Sequence, residues 1–300
     1  MRRLKLSADD LLAHNPRLVY VGLHGFGEDG PYAGRPAYDD LIQGLTALPA
    51  LVGNITGEPR YSPATIADRI VGLNALHAIL AALFHRERTG EGQSIEIPMF
   101  ETMAGFVLGD HMAGRSFEPP IGPPGYSRLL SPDRRPYQTS DGYVCALVYS
   151  DKQWTAFFRL IGLASEADRD PRLNSIEART RNYDFVYDWF SQMMKTRTTA
   201  EWMAFFEAAD IPHAPLHDLD SLIDDPHLAK VRLIQSIEHP TEGTLRVAGP
   251  AATWSKTPPS IRQYPPRLGE HGEEILREVG FSDGEIEALL TDGALGDPDS

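Results

Sequence analysis

The sequence is poor in the residues that define several common protein classes. It contains one cysteine, Cys145, in 300 residues, so an internal disulfide is excluded and a reducing compartment is indicated. Cys145 lies in an apolar stretch, which favours a buried structural thiol over a nucleophile. The sequence has no recognisable signal peptide and no uninterrupted apolar run of about 18 residues. We therefore expect a soluble cytoplasmic protein.

Basic residues are also scarce. The chain has 28 Lys and Arg against 42 Asp and Glu, a formal net charge of −14, which argues against a nucleic-acid partner. His213 and His217 have no metal-ligand companions at a useful spacing, so no metal site is predicted. The glycine-rich loop at 24–32 matches neither a dinucleotide fingerprint nor a phosphate-binding P-loop, and glycine content alone is weak evidence of binding.

The strongest pattern present is one long helix. Apolar residues recur between Ile70 and Phe84 close to every 3.6 residues and on nearly every side, which predicts a buried central helix. The helix would begin near Asp68 and end in a basic turn before Gly90. The alternating residues 94–97 that follow predict a strand.

Several shorter elements can be predicted from local signals. Ser7 can cap a helix over 8–14, residues 18–23 resemble a buried parallel strand, and Ser282 can cap a last short helix. Aromatic stripes between 183 and 206 predict a packed core. The proline- and glycine-rich residues 115–136 indicate an interdomain linker.

A few charged side chains leave their roles open. Arg128, Arg134 and Arg135 could pair with a substrate carboxylate or a CoA phosphate, or they could be solvated linker charges. Asp110 and His111 are adjacent on a predicted helix and do not face each other, so we expect surface residues.

Asp68 permits two interpretations. An aspartate at a helix start is commonly the N-cap, whose carboxylate accepts hydrogen bonds from free backbone N–H groups of the first turn. Alternatively, a carboxylate at the positive end of a helix can act as a covalent nucleophile on an activated acyl group. The residues alone favour the cap.

A resemblance extends over nearly the whole chain and changes that balance. Six segments recur in order: 15–32, 35–44, 64–101, 134–144, 211–226 and 267–276. Together they resemble the family III CoA-transferases of the CaiB/BaiF type, the formyl-CoA and carnitine-CoA transferase group. In that family an Ala-Asp or Gly-Asp pair opens the central helix, and its aspartate is the catalytic nucleophile. The resemblance therefore implies that Asp68 is catalytic.

The resemblance also implies an α/β fold. It consists of an incomplete Rossmann-like large domain and a smaller α+β domain, with a C-terminal segment that returns to the large domain. The expected boundaries are 1–115 for the large domain, 116–140 for the linker and active-site loop, 141–228 for the small domain and 229–300 for the returning segment. Family members begin with further strands, so the large domain is expected to be truncated here.

Site residues and partners follow from the same resemblance. Arg35, Pro36, Ala37 and Tyr38 would line the thioester end of coenzyme A, which binds as an acyl-CoA substrate without any metal. Gly122 and Gly125 would belong to a loop that covers the active site. The other partners are a carboxylate acceptor and either a second copy, in an interlocked homodimer, or a partner chain that supplies the missing strands.

Two alternatives to a CoA-transferase remain. The related α-methylacyl-CoA racemases carry a catalytic histidine where this chain has Tyr38. A tyrosine, with an ordinary pKa near 10, is a poor base for removing an α-proton at neutral pH, which disfavours racemisation. The other alternative is an inactive fragment, or a subunit that needs a partner chain.

Overall fold

The computed structural model describes residues 1–165 and 170–296. The chain forms two compact units, Met1–Leu216 and His217–Ser300, which we call the first and second units. The four domain boundaries expected from the sequence, and the return of the C-terminal segment to the large domain, stay predictions.

The first unit begins with a small parallel sheet and its helices. Its elements are α1 (Ala8–His14), β1 (Val19–His24), α2 (Asp39–Leu45), α3 (Leu48–Thr56), α4 (Ile66–Thr89), β2 (Gln93–Pro98) and α5 (Met99–His111). Strands β1 and β2 pair in parallel from Val19 opposite Gln93 to His24 opposite Pro98. Ser7 caps α1 in a reciprocal capping box. The two strands, their parallel pairing and the cap are therefore confirmed. The predicted burial of the first strand is wrong within the described structure, because no residue of β1 is fully buried.

One side of α4 forms the core of this part. Ala67, Val71 and Ala75 are buried on it, and they pack in a cluster with Phe26, Ile42, Ile97 and Met103. Small residues on this side let α2 and α5 approach the helix closely. They also keep the area buried on α4 small.

The opposite side of α4 is open. Leu73, Leu76, Leu80 and Phe84 lie along it and are between 53% and 67% exposed; we call them the apolar stripe. The prediction of a helix buried on all sides is wrong for this face within the described structure. The periodicity showed that apolar residues lie on every side of the helix. In the described structure, other elements pack only on its alanine-rich side.

Helix α4 also has the length and composition of a membrane span. Its 24 residues contain an 18-residue window of high mean hydropathy, 22% of it buried. The helix contains no uninterrupted apolar run of about 18 residues, because polar residues such as Asn74 and His77 lie within it. A single such helix is weak evidence for a membrane, since core helices meet the same test.

The rest of the first unit combines three short strands with helices. These are β3 (Tyr137–Gln138), β4 (Tyr143–Ala146), α6 (Asp151–Leu160), α7 (Ile176–Arg181), α8 (Tyr183–Met194), α9 (Thr199–Ala208) and β5 (His213–Pro215). The strands pair antiparallel in the order β3-β4-β5. Trp154, Phe157, Phe190, Trp202 and Phe206 form the buried core, which confirms the prediction that the aromatic stripes are core. Cys145, on β4, is half-buried.

The second unit is built around a hairpin. It contains α10 (Leu219–Ile223), α11 (Pro226–Lys230), β6 (Ile234–His239), β7 (Gly243–Ala248), α12 (Gly272–Glu278) and α13 (Asp283–Thr291). Strands β6 and β7 pair antiparallel, and Ser282 caps α13 in a second capping box, as predicted.

Candidate active site

The start of α4 places Asp68 inside the helix rather than at its cap. The N-cap is Thr65, whose side chain makes no capping hydrogen bond. Asp68 is the third helical residue, and it is exposed. The interpretation of Asp68 as the N-cap is therefore wrong. A side chain from another element accepts the hydrogen bond from the first turn of α4.

That side chain is Asp39, the first residue of α2. The backbone N–H of Asp68 donates to Oδ1 of Asp39 across 3.0 Å. The first N–H groups of a helix lack partners within the helix, so a carboxylate brought to them from outside stabilises the helix start. The backbone of Asp68 is thereby fixed without using its own carboxylate.

A buried amide, Gln43, holds Asp39 in place. Gln43 is fully buried on α2, and its Nε2 donates to Oδ2 of Asp39 across 2.6 Å and to the Ala64 carbonyl across 3.5 Å. Its Oε1 accepts from the Ser62 N–H across 2.9 Å. The amide thus ties the chain leading into α4 to the helix that carries Asp39. Buried polar groups bonded in this way are rigid.

The roles of Asp39 and Gln43 were not predicted from the sequence. The two residues are four positions apart on one helix, so their side chains lie on the same face. The contact between Asp39 and Gln43 could therefore have been predicted from their spacing. The contact of Asp39 with Asp68, 29 positions away, could not.

Residues 35–38 lie immediately before Asp39. Tyr38 is the N-cap residue of α2 and is 75% exposed, with no capping hydrogen bond from its side chain. The Arg35 guanidinium lies 4.5 Å from the centre of the Tyr32 ring. Ala37 packs so closely on Gly25 that a side chain at position 25 would overlap it. The structure therefore brings Arg35, Pro36, Ala37 and Tyr38 beside the glycine-rich loop and, through Asp39, next to the start of α4.

Two glutamates fix the glycine-rich loop itself. The Gly27 N–H donates to Glu101 across 2.9 Å, and the Glu28 N–H donates to Glu96 across 2.7 Å. These loop N–H groups are therefore already used. A loop with bound N–H groups and two carboxylates is a poor anion-binding site, and its contacts with Arg35 and Ala37 hold the segment 35–38 against it.

The predicted loop glycines lie against the end of α5. Gly125 adopts a positive φ of 113°, and its N–H donates to the His111 carbonyl across 2.8 Å. Gly122 packs against the backbone of Gly114. His111, expected at the surface, is half-buried and accepts the Tyr126 N–H at its Nδ1 across 3.2 Å. These contacts join the loop to α5 rather than to Asp68, and its covering role stays a prediction.

The histidines named as unlikely ligands have other neighbours. His213 Nδ1 is 2.9 Å from the Ile211 carbonyl, and His217 is 3.5 Å from Asp225. Within residues 1–165 and 170–296, no group of three or more His, Cys, Asp or Glu side chains could hold a metal ion.

Comparison with known proteins gives concordant matches. An acyl-CoA transferase of Fusarium pseudograminearum is 29% identical over 98% of this chain and 65% of its own length. The beta subunit of a succinyl-CoA–L-malate CoA-transferase of Chloroflexus aurantiacus is 31% identical over 95% of this chain and 71% of its own length. The crystal structure of Rv3272 from Mycobacterium tuberculosis superimposes with a TM-score of 0.75 at 25% identity, covering 91% of this chain and 73% of that one.

The chain thus spans about two thirds of the length of these relatives. The model of the family described as "CoA-transferase family III" matches residues 1–272. Because that match extends over most of the sequence and agrees with the relatives and the fold, this chain belongs to CoA-transferase family III.

Proposed function

We propose that this chain carries the reactive centre of an acyl-CoA:carboxylate CoA-transferase, with Asp68 as the nucleophile. The supporting observation is the state of Asp68 at the start of α4. Its carboxylate is exposed and makes no hydrogen bond to the described residues, while its backbone N–H is bound by Asp39. A fixed backbone with a free carboxylate is what nucleophilic attack requires.

The proposed reaction needs no metal and no net proton transfer. An Asp68 carboxylate oxygen attacks the donor thioester carbonyl, the C–S bond breaks, and an acyl-aspartyl anhydride and CoA thiolate result. The thiolate attacks the aspartyl carbonyl and releases the donor carboxylate, which leaves a thioester between Asp68 and CoA. The acceptor carboxylate attacks this thioester, giving a second anhydride and the thiolate again. The thiolate then attacks the acceptor acyl carbon, forming the new acyl-CoA and regenerating Asp68.

Residues 35–38 would contact the thioester end of coenzyme A in this scheme. Tyr38 is exposed beside Asp39, so an incoming thioester can reach it. Because a neutral tyrosine is a weak base, Tyr38 orients the substrate and abstracts no proton. The name of the Chloroflexus relative pairs succinyl-CoA with L-malate, which makes dicarboxylic acids the first acceptors to assay.

Covalent labelling tests the proposal directly. The purified chain is incubated with acetyl-CoA, propionyl-CoA or succinyl-CoA and then treated with hydroxylamine, which converts an aspartyl thioester or anhydride into an aspartyl hydroxamate. We expect mass spectrometry to find the hydroxamate on Asp68 and none on Asp40, an exposed carboxylate on α2.

The labelling result separates the alternatives. Modification confined to another carboxylate would exclude Asp68 as the nucleophile. An unlabelled chain that also binds no acyl-CoA would mean that this chain is not the enzyme by itself and acts as a fragment or subunit. Exchange of the α-proton of a branched acyl-CoA with solvent deuterium, without labelling, would support the racemase alternative.

We infer that the apolar stripe of α4 is covered in the active protein by a further α/β segment. The sheet of β1 and β2 has only two strands in the described structure, whereas parallel sheets are normally larger and covered on both faces. The relatives are longer by about a third of their length, and one of them is named as a subunit. Such a segment would add strands to the open sheet and pack on the stripe, whether it belongs to the same or to a partner polypeptide.

Substitutions in the stripe test this inference. Leu76→Glu combined with Leu80→Glu should lower the binding of a hydrophobic dye severalfold. It should leave the free energy of unfolding within about 0.5 kcal/mol of wild type, because both side chains are already exposed. Val71→Glu, on the buried side of the same helix, is the control and should unfold the chain. Light scattering gives the oligomeric state of the 33.2 kDa chain. A dimer that forms in wild type and is lost in the double variant would instead assign the stripe to a homodimer interface.

A further inference from the structure

A cavity lies in the first unit, among residues far in sequence from the start of α4. It has a volume of about 80 Å³ and lies among β4, α6, α7 and α8 and the end of the linker. Its aromatic walls include Tyr149, Trp154, Tyr183, Tyr187 and Phe190, and two arginines, Arg128 and Arg179, reach it. We call it the tyrosine pocket.

The charge of Arg179 is already balanced. Its buried guanidinium pairs with the Asp151 carboxylate, donates to the Leu173 carbonyl across 2.8 Å and lies 5.1 Å from the Trp154 ring centre. Arg179 is therefore part of the wall and has no charge to offer a ligand.

Arg128 is different because it has no acidic partner among the described residues. Its Nε donates to the Tyr187 hydroxyl across 3.2 Å, and its guanidinium lies 6.0 Å from the Tyr149 ring centre. The hydrogen bond to Tyr187 raises the pKa of Arg128, so its charge persists at every accessible pH. A half-buried arginine without a carboxylate is unexpected in a chain with 42 acidic and 28 basic residues.

The nearby acidic groups are directed elsewhere. Asp133 pairs with Arg135 across 3.1 Å, and Asp184 accepts the Ser131 hydroxyl across 2.8 Å. Arg128 donates from Nε to the Tyr187 hydroxyl, and a weaker interaction with the Tyr126 side chain also favours its charged form. Both partners are neutral, so the remaining N–H groups can pair with a carboxylate, whose two oxygens match the planar guanidinium fork.

We propose that the tyrosine pocket binds a small organic carboxylate, with its apolar part between the aromatic walls and its carboxylate paired with the terminal N–H groups of Arg128. Apolar walls with one oriented charge are typical of small-molecule sites. One guanidinium neutralises one carboxylate, but it leaves a phosphate dianion with a net negative charge among aromatic walls. The positive charge also disfavours a cationic ligand. The carboxylate could be the acceptor acid of the proposed transfer, in which case the inference also rests on that function, or a separate ligand.

Binding measurements with a matched pair of probes test the pocket. Propionate carries the charge and is small enough for a cavity of about 80 Å³, and propionamide is its neutral counterpart of nearly the same shape. Calorimetry on the full chain should show propionate binding at least about tenfold more tightly than propionamide. Arg128→Gln should weaken propionate binding by about tenfold or more, and Tyr187→Phe should weaken it less, because the ring remains. Arg135→Gln, which changes an exposed linker arginine, should leave binding unchanged.

Two results would overturn the assignment: equal binding of propionate and propionamide, or undiminished propionate binding by an Arg128→Gln variant whose circular dichroism is that of wild type. Kinetics distinguishes the source of the ligand. A raised KM for the acceptor acid with unchanged labelling of Asp68 assigns the pocket to the acceptor, and an unchanged KM assigns it to a separate carboxylate. Propionate binding by a chain that binds acyl-CoA but is never labelled at Asp68 would contradict the proposed function and leave the pocket assignment intact.

Discussion

Replacing Asp68 with alanine should reduce CoA transfer by about 10³-fold or more, as expected when a covalent nucleophile is removed. The fold should persist, because the Asp68 side chain is exposed and makes no capping bond. Its backbone N–H, which binds Asp39, remains in the variant. Steady-state rates with acyl-CoA and acid, together with thermal unfolding, measure both quantities.

Two further variants sharpen this experiment. Asp68→Asn preserves size and removes the nucleophile, and any slow recovery of activity would report deamidation back to aspartate. Asp40→Asn changes an exposed carboxylate on α2 and should leave the rate within about twofold, since surface substitutions of this kind have small effects. Substantial transfer by Asp68→Ala would exclude the proposed mechanism. Loss of transfer in all three variants would indicate a general electrostatic effect.

Much of the local structure could be predicted from the sequence because its causes are local. Ser7 and Ser282 cap their helices through residues three positions away, and such signals are complete within one turn. The aromatic stripes of the first unit also became core. The exposure of the apolar stripe could not be predicted, because burial depends on which elements are available to cover a face, and a periodic pattern contains no such information.

The candidate site was only partly predictable for a related reason. Asp68 could be found from its place at a helix start and from the resemblance to a known family. Its support by Asp39 crosses 29 positions, and the clamp from Gln43 to Ser62 crosses 19. Contacts of this range arise from the packing of α2 on α4, which a single sequence does not specify. The sequence favoured Asp68 as the N-cap of α4 because the carboxylate that binds the first turn, Asp39, lies on another helix.

Changing Gln43 to glutamate should lower kcat by about 100-fold with little change in the KM for acyl-CoA. When ionised, the introduced carboxylate cannot donate to Asp39, whose Oδ2 lies 2.6 Å from the present Nε2, so two negatively charged acceptors would face each other. The rates are measured above neutral pH, because two adjacent carboxyl groups otherwise share a proton. Asp39 would then turn away from the Asp68 N–H. Misplacing a reacting group by about 1 Å can cost two orders of magnitude in rate. Steady-state kinetics and thermal unfolding of the same preparations give kcat, KM and stability.

A reversed pair distinguishes positioning from simple loss of stability. In the double variant Asp39→Asn with Gln43→Glu, the amide at position 39 can donate to the carboxylate at position 43 while its oxygen still accepts the Asp68 N–H. The introduced carboxylate can also still accept the Ser62 N–H. Asp39→Asn alone places two donors together and Gln43→Glu alone places two acceptors together, so both single variants should have a low kcat. The kcat of the double variant should recover to within about tenfold of wild type. Additive effects cannot give such a recovery, so it would show that the two positions are coupled. If Gln43→Glu lowers only the unfolding temperature and leaves kcat intact, Gln43 is structural and Asp68 needs no such support.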